Sequence, residues 1–252
     1  MAQQNIKQRK YYLKIFKLLI GLFFFGLTSI ASANQDVIWS LGAGASYPTH
    51  APKSPFIISE WVSDDFHQAT QQLMPSFTID VKKIIPLQNS ALLTNLHIGP
   101  AVYFDIIKST GDVWELNQPQ FDNYSDKLVV KQAAIFAEAE GYLKPLCQSL
   151  TPFLLAGLGA SVYTLNYDDW AKGAIPLDSE LHLNAHHGVN FAYALGAGIT
   201  HAINENASIY IKYRFQDAGV AHSALASNLI SPIQMDAISH QVFLGVQYRA
   251  AA

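Results

Sequence analysis

The stretch GVNFAYALGAGITHAINENASIYIKYRFQ, residues 188–216, decides the fold of this chain. Its first half places large apolar residues at alternate positions, and small or polar residues stand between them. After the short turn Ile203-Asn-Glu-Asn206 the alternation resumes, with Lys212 and Arg214 among the intervening residues. A period of two residues indicates a β-strand with one apolar and one polar face, so the stretch predicts a β-hairpin.

The same alternation recurs along the chain and predicts eight strands. Each is about ten residues or longer, which is enough for a tilted strand to cross a bilayer. The predicted strands are residues 37–47, 74–83, 92–104, 127–142, 151–163, 188–201, 208–216 and 239–249.

The connections between these strands alternate between long and short. The long ones are residues 48–72, 105–126, 164–187 and 218–234, and the short ones are residues 84–91, 143–150 and 202–206. Transmembrane barrels show this asymmetry, with short periplasmic turns and longer external loops. We therefore predict an all-β fold, an eight-stranded antiparallel up-and-down transmembrane β-barrel.

The N-terminal residues predict export from the cytoplasm. Five basic residues precede or begin the apolar run Leu18–Leu27, which is followed by the small residues Ala31-Ser-Ala33. This order is typical of a secretory signal peptide. A membrane-spanning helix is the alternative, but it needs about twenty apolar residues, more than this run contains. We predict cleavage after Ala33, which makes residues 1–33 the signal peptide and residues 34–252 one outer-membrane barrel domain.

The composition favours a surface that faces lipid. Half of the residues are hydrophobic and only 14% are charged. A soluble domain normally carries more ionic groups, whereas a barrel spreads apolar residues over alternate positions. Removal of the five basic residues changes the formal net charge from −3 to −8, which argues against nucleic acid as a partner. The single cysteine, Cys147, cannot form an internal disulfide, and no motif indicates a cofactor.

The polar face of the predicted strands carries charges of both signs. An eight-stranded barrel has an interior just wide enough for side chains, and an unpaired buried charge costs several kcal/mol. We therefore predict an ion-pair network that fills the lumen. The alternative is that some of these side chains lie at the rims and are solvated. The network would consist of Asp80, Lys82, Glu138, Glu140, Lys212 and Arg214.

Aromatic residues lie near the ends of the predicted strands, where amphipathic rings prefer the level of the lipid headgroups. The predicted aromatic girdle consists of Trp39, Tyr47, Phe104, Tyr163, Tyr193, Phe215 and Tyr248. Further aromatic residues fall in the predicted loops, where they either serve as recognition anchors or fold back onto the rim. These loop candidates are Trp61, Trp114, Phe121 and Tyr124.

Two segments resemble the last strands of known small outer-membrane barrels. The first joins Leu195-Gly-Ala-Gly-Ile199 to Ser208-Ile-Tyr-Ile-Lys-Tyr-Arg-Phe-Gln-Asp-Ala-Gly219, and the second is Ser239-His-Gln-Val-Phe-Leu-Gly-Val-Gln-Tyr-Arg249. The chain is similar here to opacity-type surface proteins and to the transmembrane domain of outer-membrane protein A. The resemblance implies an outer-membrane location and, by analogy of fold alone, adhesion.

The end of the chain departs from that family. Such chains usually end on an aromatic residue that the barrel-assembly machinery recognises, but this one continues past Tyr248 to Ala252. Either Tyr248 serves as that signal or the tail Ala250-Ala-Ala252 is not native. The expected partners are the assembly machinery, outer-membrane lipid including lipopolysaccharide, and host surface molecules.

Candidates for catalysis and metal binding are weak. His222-Ser223 and Ser239-His240 match no motif of the barrel enzymes that modify lipid A, so we expect no enzyme. Three histidines in one long loop could hold a zinc or copper ion, but a solvated polar loop is favoured, and we predict no metal site. They are His182, His186 and His187, with Asp178 and Glu180 upstream.

Two alternatives to a structural or adhesive surface barrel remain open. One is a narrow channel or a conduit for small hydrophobic compounds, as in the outer-membrane protein W family. The other is a soluble carrier of the lipocalin type, whose interior is apolar and whose exterior is polar. That arrangement would leave an exterior of glycines and small residues with little charge, such as Gly157, Gly159, Gly196 and Gly198.

Overall fold

The computed structural model describes residues 36–53, 55–59, 62–88, 90–173, 180–225, 229 and 231–250. The predicted signal peptide lies outside these residues. The strands are β1 (Val37–Pro48), β2 (Phe56–Ser59), β3 (Val62–Gln72), β4 (Met74–Pro86), β5 (Leu93–Trp114), β6 (Asp122–Leu143), β7 (Leu150–Ala171), β8 (His182–Ala202), β9 (Ala207–His222) and β10 (Gln234–Ala250). Two single-turn 3₁₀ helices, Glu115–Asn117 and Pro119–Phe121, connect β5 to β6. None of the described helices has the length and apolar character that crossing a membrane requires.

Eight of these strands close into an antiparallel barrel. The ring runs β1, β4, β5, β6, β7, β8, β9 and β10, and β1 pairs with both β4 and β10. This confirms the predicted eight-stranded fold. The short connections lie at one end of the barrel, which we call the turn end, and the opposite end is the loop end.

The first long connection is mostly strand and not loop. β3 pairs with β5 from Asp65 opposite Trp114 to Gln72 opposite Lys108, so it continues the line of β4 towards the loop end. β2 folds back on β3, and the bridge between Pro52 and Met235 holds this segment against β10. The prediction of a loop over residues 48–72 is therefore wrong.

The predicted loops over residues 105–126 and 164–187 are also largely strand, whereas in 218–234 β9 ends at His222 and β10 begins only at Gln234. β5, β6 and β7 are 22 residues long each, so they include most of residues 105–126 and part of 164–187. β8, β9 and β10 extend into the same region of the barrel. The sequence hid these extensions because polar residues appear on their outer face, so the contrast between the two faces inverts.

The outer face of the barrel carries an apolar band. Leu41, Leu158 and Leu244 are each about 60% exposed there, while the alternate residues face the interior. On β6 the band runs from Ala133 to Leu143, ten residue steps. At about 3.3 Å per step and a tilt of about 40°, the band is about 25 Å tall, the height of a lipid-facing barrel surface. An exterior of this kind contradicts the soluble-carrier alternative.

Above the band the interior is filled with apolar side chains. Phe56 of β2 points into the loop end, where its ring lies 4.8 Å from the ring of Phe66 and 6.4 Å from that of Tyr167. Burial of such residues away from water is the main favourable contribution to folding. The loop half of the barrel therefore has a hydrophobic core, to which Ile107, Val113, Leu128, Val130, Leu165, Leu183, Ile233 and Met235 also belong.

The pairing between β8 and β9 is incomplete and leaves a seam in the wall. The ladder between β8 and β9 ends at Tyr193 opposite Asp217, although both strands continue beyond these residues. The Asn190 side chain crosses the gap and donates hydrogen bonds to the carbonyl oxygens of Ala218 (3.0 Å) and Val220 (2.8 Å).

A second side chain also crosses the seam. The Tyr163 ring lies over Gly188 of β8, where a Cβ atom would overlap it. Its hydroxyl oxygen accepts a hydrogen bond of 3.2 Å from the backbone N–H of His222. Two side chains thus satisfy three backbone groups of β9 that a strand partner would normally satisfy.

Candidate functional site: the charged layer of the lumen

Lys82 lies at the centre of a charged layer inside the barrel. Its Nζ atom donates hydrogen bonds of 2.6 Å to Glu138 and 2.6 Å to Glu140, and it lies 3.4 Å from Asp80. Asp80 and Lys82 are two positions apart on β4, and the two glutamates are two positions apart on β6, so all four face the interior. The alternation of the two strands thus brings three carboxylates to one ammonium group.

Two further cations approach the same carboxylates from β9. Lys212 Nζ donates a 2.9 Å hydrogen bond to the Tyr103 hydroxyl, which in turn donates one of 2.7 Å to Glu138. Arg214 Nε lies 3.9 Å from Glu138, and its guanidinium carbon lies 3.6 Å above the Tyr103 ring. Charge pairing and a cation–π contact together compensate these buried cations.

A second polar layer, which contains the carboxyl group of Asp105, lies next to the charged one. Asp105 Oδ2 accepts hydrogen bonds from Gln241 (2.7 Å) and Gln132 (2.9 Å). Gln241 also accepts a 2.9 Å hydrogen bond from Arg214 Nη1, which joins the two layers. The side chains in this layer come from strands on opposite sides of the ring, so they connect across the lumen.

The charged layer closes the lumen. The six charged residues and Tyr103 are each no more than 1% exposed. A cavity of about 170 Å³ opens at the turn end, and its lining includes His97, Tyr142 and Gln247. Glu140 lies two residues deeper than Tyr142 on β6, and the Tyr142 hydroxyl donates a 3.2 Å hydrogen bond to it. The charged layer therefore lies behind the residues that line this cavity and contacts one of them, Tyr142.

The structure brings together all six charged residues that the polar face predicted. Sequence reasoning missed Tyr103 and Asp105 on β5, Gln132 on β6 and Gln241 on β10. These residues occupy inward positions, so the period-two pattern could have found them. Tyr103, Gln132 and Gln241 are uncharged residue types, and Asp105 is an isolated acidic residue. Their residue types therefore did not distinguish them from the other polar residues of the strands.

One member of the predicted aromatic girdle is wrong. Tyr163 faces the interior, where it is buried at the seam, because it shares the inward phase of Gly157, Gly159 and Ser161. The other predicted girdle residues lie on outward positions of their strands, namely Trp39, Tyr47, Phe104, Tyr193, Phe215 and Tyr248.

One of the loop recognition candidates, Tyr124, is wrong. Tyr124 is buried in the hydrophobic core, and Trp114 is partly buried with its ring stacked on His67 at 3.6 Å. Phe121 is exposed at the loop end, and Trp61 lies outside the described residues. The structure adds Trp170, which is 43% exposed on β7.

The described residues contain no group of three or more side chains that could hold a metal ion. His182 instead lies 3.2 Å from Asp168, and His187 forms a 2.8 Å hydrogen bond with Thr164. His186 is partly buried beside His187, and burial lowers its pKa. The histidines that the sequence grouped therefore have separate environments, and Asp178 lies outside the described residues.

The two Ser–His pairs lack the geometry of a nucleophile and its base. Ser239 points inward and accepts a hydrogen bond from Gln241, whereas His240 points outward and contacts the Tyr213 hydroxyl at 2.6 Å. Ser223 donates its hydroxyl proton to the carbonyl oxygen of Ala224. In neither pair does a described contact join the serine hydroxyl to the histidine ring.

An acidic group lies at the loop end, above the apolar band. Asp126 is 2% exposed and faces Asp169 across the β6–β7 pair. Burial and the neighbouring charges of Asp112 and Asp169 raise the pKa of Asp126 to about 7. Lys172 partly offsets this effect, but it lies 2.6 Å from both Asp112 and Asp122.

These features define a closed β-barrel with an apolar outer band and a lumen filled by side chains. No protein-family model matches the sequence, and no curated protein matches it. Among solved structures, the chain is similar to the outer membrane protein OprG from Pseudomonas aeruginosa. The identity is 14% over 86% of this chain and 97% of that one, with a TM-score of 0.50. This likeness shows the fold, that of the small outer-membrane β-barrels.

Two other matches are more distant. The attachment invasion locus protein Ail of Yersinia pestis, solved with the heparin analogue sucrose octasulfate, is 11% identical over 86% of this chain and 99% of that one, with a TM-score of 0.37. Neisserial surface protein A is 12% identical over 86% of this chain and 97% of that one, with a TM-score of 0.27.

Proposed function

We propose that this chain is a non-enzymatic, non-conducting surface barrel of the bacterial outer membrane that acts through its external half. The closure of the lumen by the charged layer carries the proposal. With the lumen closed, contacts must be made at the surface. In this proposal residues 1–33 direct export, the turn end faces the periplasm and the loop end faces outward.

The external half supports a contact function. On β6, nine residue steps separate Lys131 from Asp122. At about 3.3 Å per step and a tilt of about 40°, these steps extend the wall about 23 Å above the lipid-facing band. Apolar side chains are exposed at its rim, and we propose that they take part in the contact. Those on and beside the β5–β6 connection and on β7 are Leu116, Phe121 and Trp170.

We expect the rim variant Leu116→Ser/Phe121→Ser/Trp170→Ser to reduce attachment of cells to host extracellular matrix several-fold. Truncation of central apolar anchors commonly removes more than 1 kcal/mol of binding energy each. Cells with equal amounts of heat-modifiable barrel in the outer membrane should be compared on matrix-coated surfaces. The matched control is Leu146→Ser/Ile203→Ser in the turns at the opposite end, where both residues are exposed. Equal attachment of the rim variant and the wild type would contradict adhesion.

A conduit for small hydrophobic compounds is a second candidate. It is favoured by the apolar core of the external half and by the seam between β8 and β9, through which such a compound could leave sideways. This route would require Phe56 to withdraw from the core that it packs against. The charged layer would not have to move.

We expect no discrete conductance steps when the purified barrel is reconstituted in a planar bilayer. The charged side chains are each no more than 1% exposed, so we expect them to leave no continuous water path. Their pairing resists rearrangement. A wide porin in the same lipid provides the positive control. Repeated single-channel steps from the wild-type protein would contradict the closed lumen and make a channel the leading function.

A further inference from the structure

The outer face of the barrel changes from apolar to polar along one line. On β5 the change falls between Ile106 and Lys108, and on β6 it falls between Ala133 and Lys131. Lys131 pairs in register with Thr164 on β7, where the polar face of that strand begins. The first residues above the apolar band therefore form a polar row across three strands.

Three lysines cluster at and above this line. Lys108 lies opposite Val129 in the β5–β6 pair, so Lys127 and Lys131 are its two diagonal neighbours on β6. Diagonal residues on one face of an antiparallel pair are about 7–8 Å apart, within reach of long side chains. All three lysines point outward, and together we call them the lysine patch.

The patch is not neutralised by the described residues. Elsewhere in the external half, Lys53 lies 2.8 Å from Asp236 and Lys172 pairs with two aspartates. No described carboxylate lies within 4 Å of an ammonium group of the patch. Asp168 stands opposite Lys127 in register, but it contacts His182 at 3.2 Å instead.

Neighbouring side chains could assist in binding an anion. Gln72 of β3 lies opposite Lys108, and Thr164 lies opposite Lys131. Thr164 also contacts His187 of β8 at 2.8 Å. Uncharged hydrogen-bonding groups thus flank the lysines on both sides.

We propose that the lysine patch binds the phosphate groups of lipopolysaccharide in the outer leaflet. Three unpaired cations on one face repel one another, and an anionic ligand relieves this repulsion. The patch begins directly above the apolar band, at the level where the headgroup phosphates of a lipid meet the barrel wall. The proposal rests on the proposed outer-membrane location, which supplies that lipid.

The test measures binding of lipid A to the folded barrel in detergent, by native mass spectrometry. The probes are diphosphorylated lipid A and the same lipid after removal of both phosphates. We expect the wild type to prefer the diphosphorylated form, and Lys108→Gln/Lys131→Gln to bind it about 25-fold more weakly. This corresponds to about five-fold for each lysine near an anionic lipid surface. The matched control, Lys83→Gln/Lys144→Gln at the turn end, removes the same charge and should bind within about two-fold of the wild type.

Three results would overturn the proposal: equal binding of lipid A by the patch variant and the wild type, equal binding of the two lipid A forms, or preferential binding of heparin over lipid A. The last would assign the patch to a soluble polyanion. Failure of the proposed location is distinguishable, because it would appear as absence of the protein from outer-membrane fractions while binding in detergent persisted.

Discussion

Replacement of Glu138 with alanine should lower the free energy of unfolding of the barrel by about 3–5 kcal/mol, because it leaves buried cations without their partner. The carboxylate accepts hydrogen bonds from Lys82 (2.6 Å) and Tyr103 (2.7 Å) and lies 3.9 Å from both Lys212 and Arg214. None of these groups can reach water, since each is no more than 1% exposed. Urea unfolding in detergent micelles, followed by tryptophan fluorescence, measures the change.

Two further variants separate charge from packing. Glu138→Gln keeps the size of the side chain and an oxygen that can accept the hydrogen bond from the Tyr103 hydroxyl. It should therefore cost less than the alanine variant while still destabilising. Glu205→Ala, in an exposed turn, should change stability by about 0.5 kcal/mol or less. A Glu138→Ala barrel as stable as the wild type would show that the layer does not hold the strands together.

Replacement of Asp126 with asparagine should stabilise the protein at pH 8 by up to about 4 kcal/mol and have little effect at pH 4. The pKa of Asp126 in the folded protein is raised to about 7, chiefly by burial. Folding therefore favours the protonated carboxyl. Between about pH 4 and pH 7 the unfolded chain loses this proton while the folded protein retains it, so the wild type loses stability as the pH rises. Asparagine is uncharged at every pH and escapes this loss.

The difference between Asp126→Asn and the wild type should be measured by urea unfolding at intervals from pH 4 to pH 8. Groups that do not interact with residue 126 cancel in this difference. The stabilisation of Asp126→Asn relative to the wild type should grow from pH 4 to about pH 7 and level off above that pH. A stabilisation of the same size at pH 4 and pH 8 would show that shape or hydrogen bonding, and not ionisation, distinguishes the two side chains.

The membrane-level half of the barrel was predictable from the sequence because its two faces have opposite polarity. The alternation around Leu158 and Leu244 fixed which residues point outward, and the same phase placed Lys82 and Glu138 inside. In a narrow lumen, inward-pointing side chains of opposite charge lie close enough to pair with one another. Tyr163 could have been assigned inward by the same rule, since it continues the phase of Gly159 and Ser161.

The external half was not predictable in this way. There the outer face is largely polar and the inner face largely apolar, as at Lys127 and Leu128, so the pattern inverts. The outward Val129 is apolar, which blurs the pattern at the boundary. The position of Phe56 depends on β2 folding back across the barrel, and no local signal encodes such a contact. The lysine patch appears only when the register of β5 and β6 is known, because Lys108 lies on a different strand from Lys127 and Lys131.

The seam between β8 and β9 bears on how this wall can change during evolution. A ladder of backbone hydrogen bonds is insensitive to side-chain identity, so point mutations in an ordinary strand pair leave the closure intact. Here the side chains of Asn190 and Tyr163 make the hydrogen bonds across the gap. One point mutation can replace either of them. A single inherited substitution can therefore loosen one side of the barrel while every other strand pair is preserved. Among proteins that descend from this one, we expect the shape of the wall to diversify first at the seam between β8 and β9.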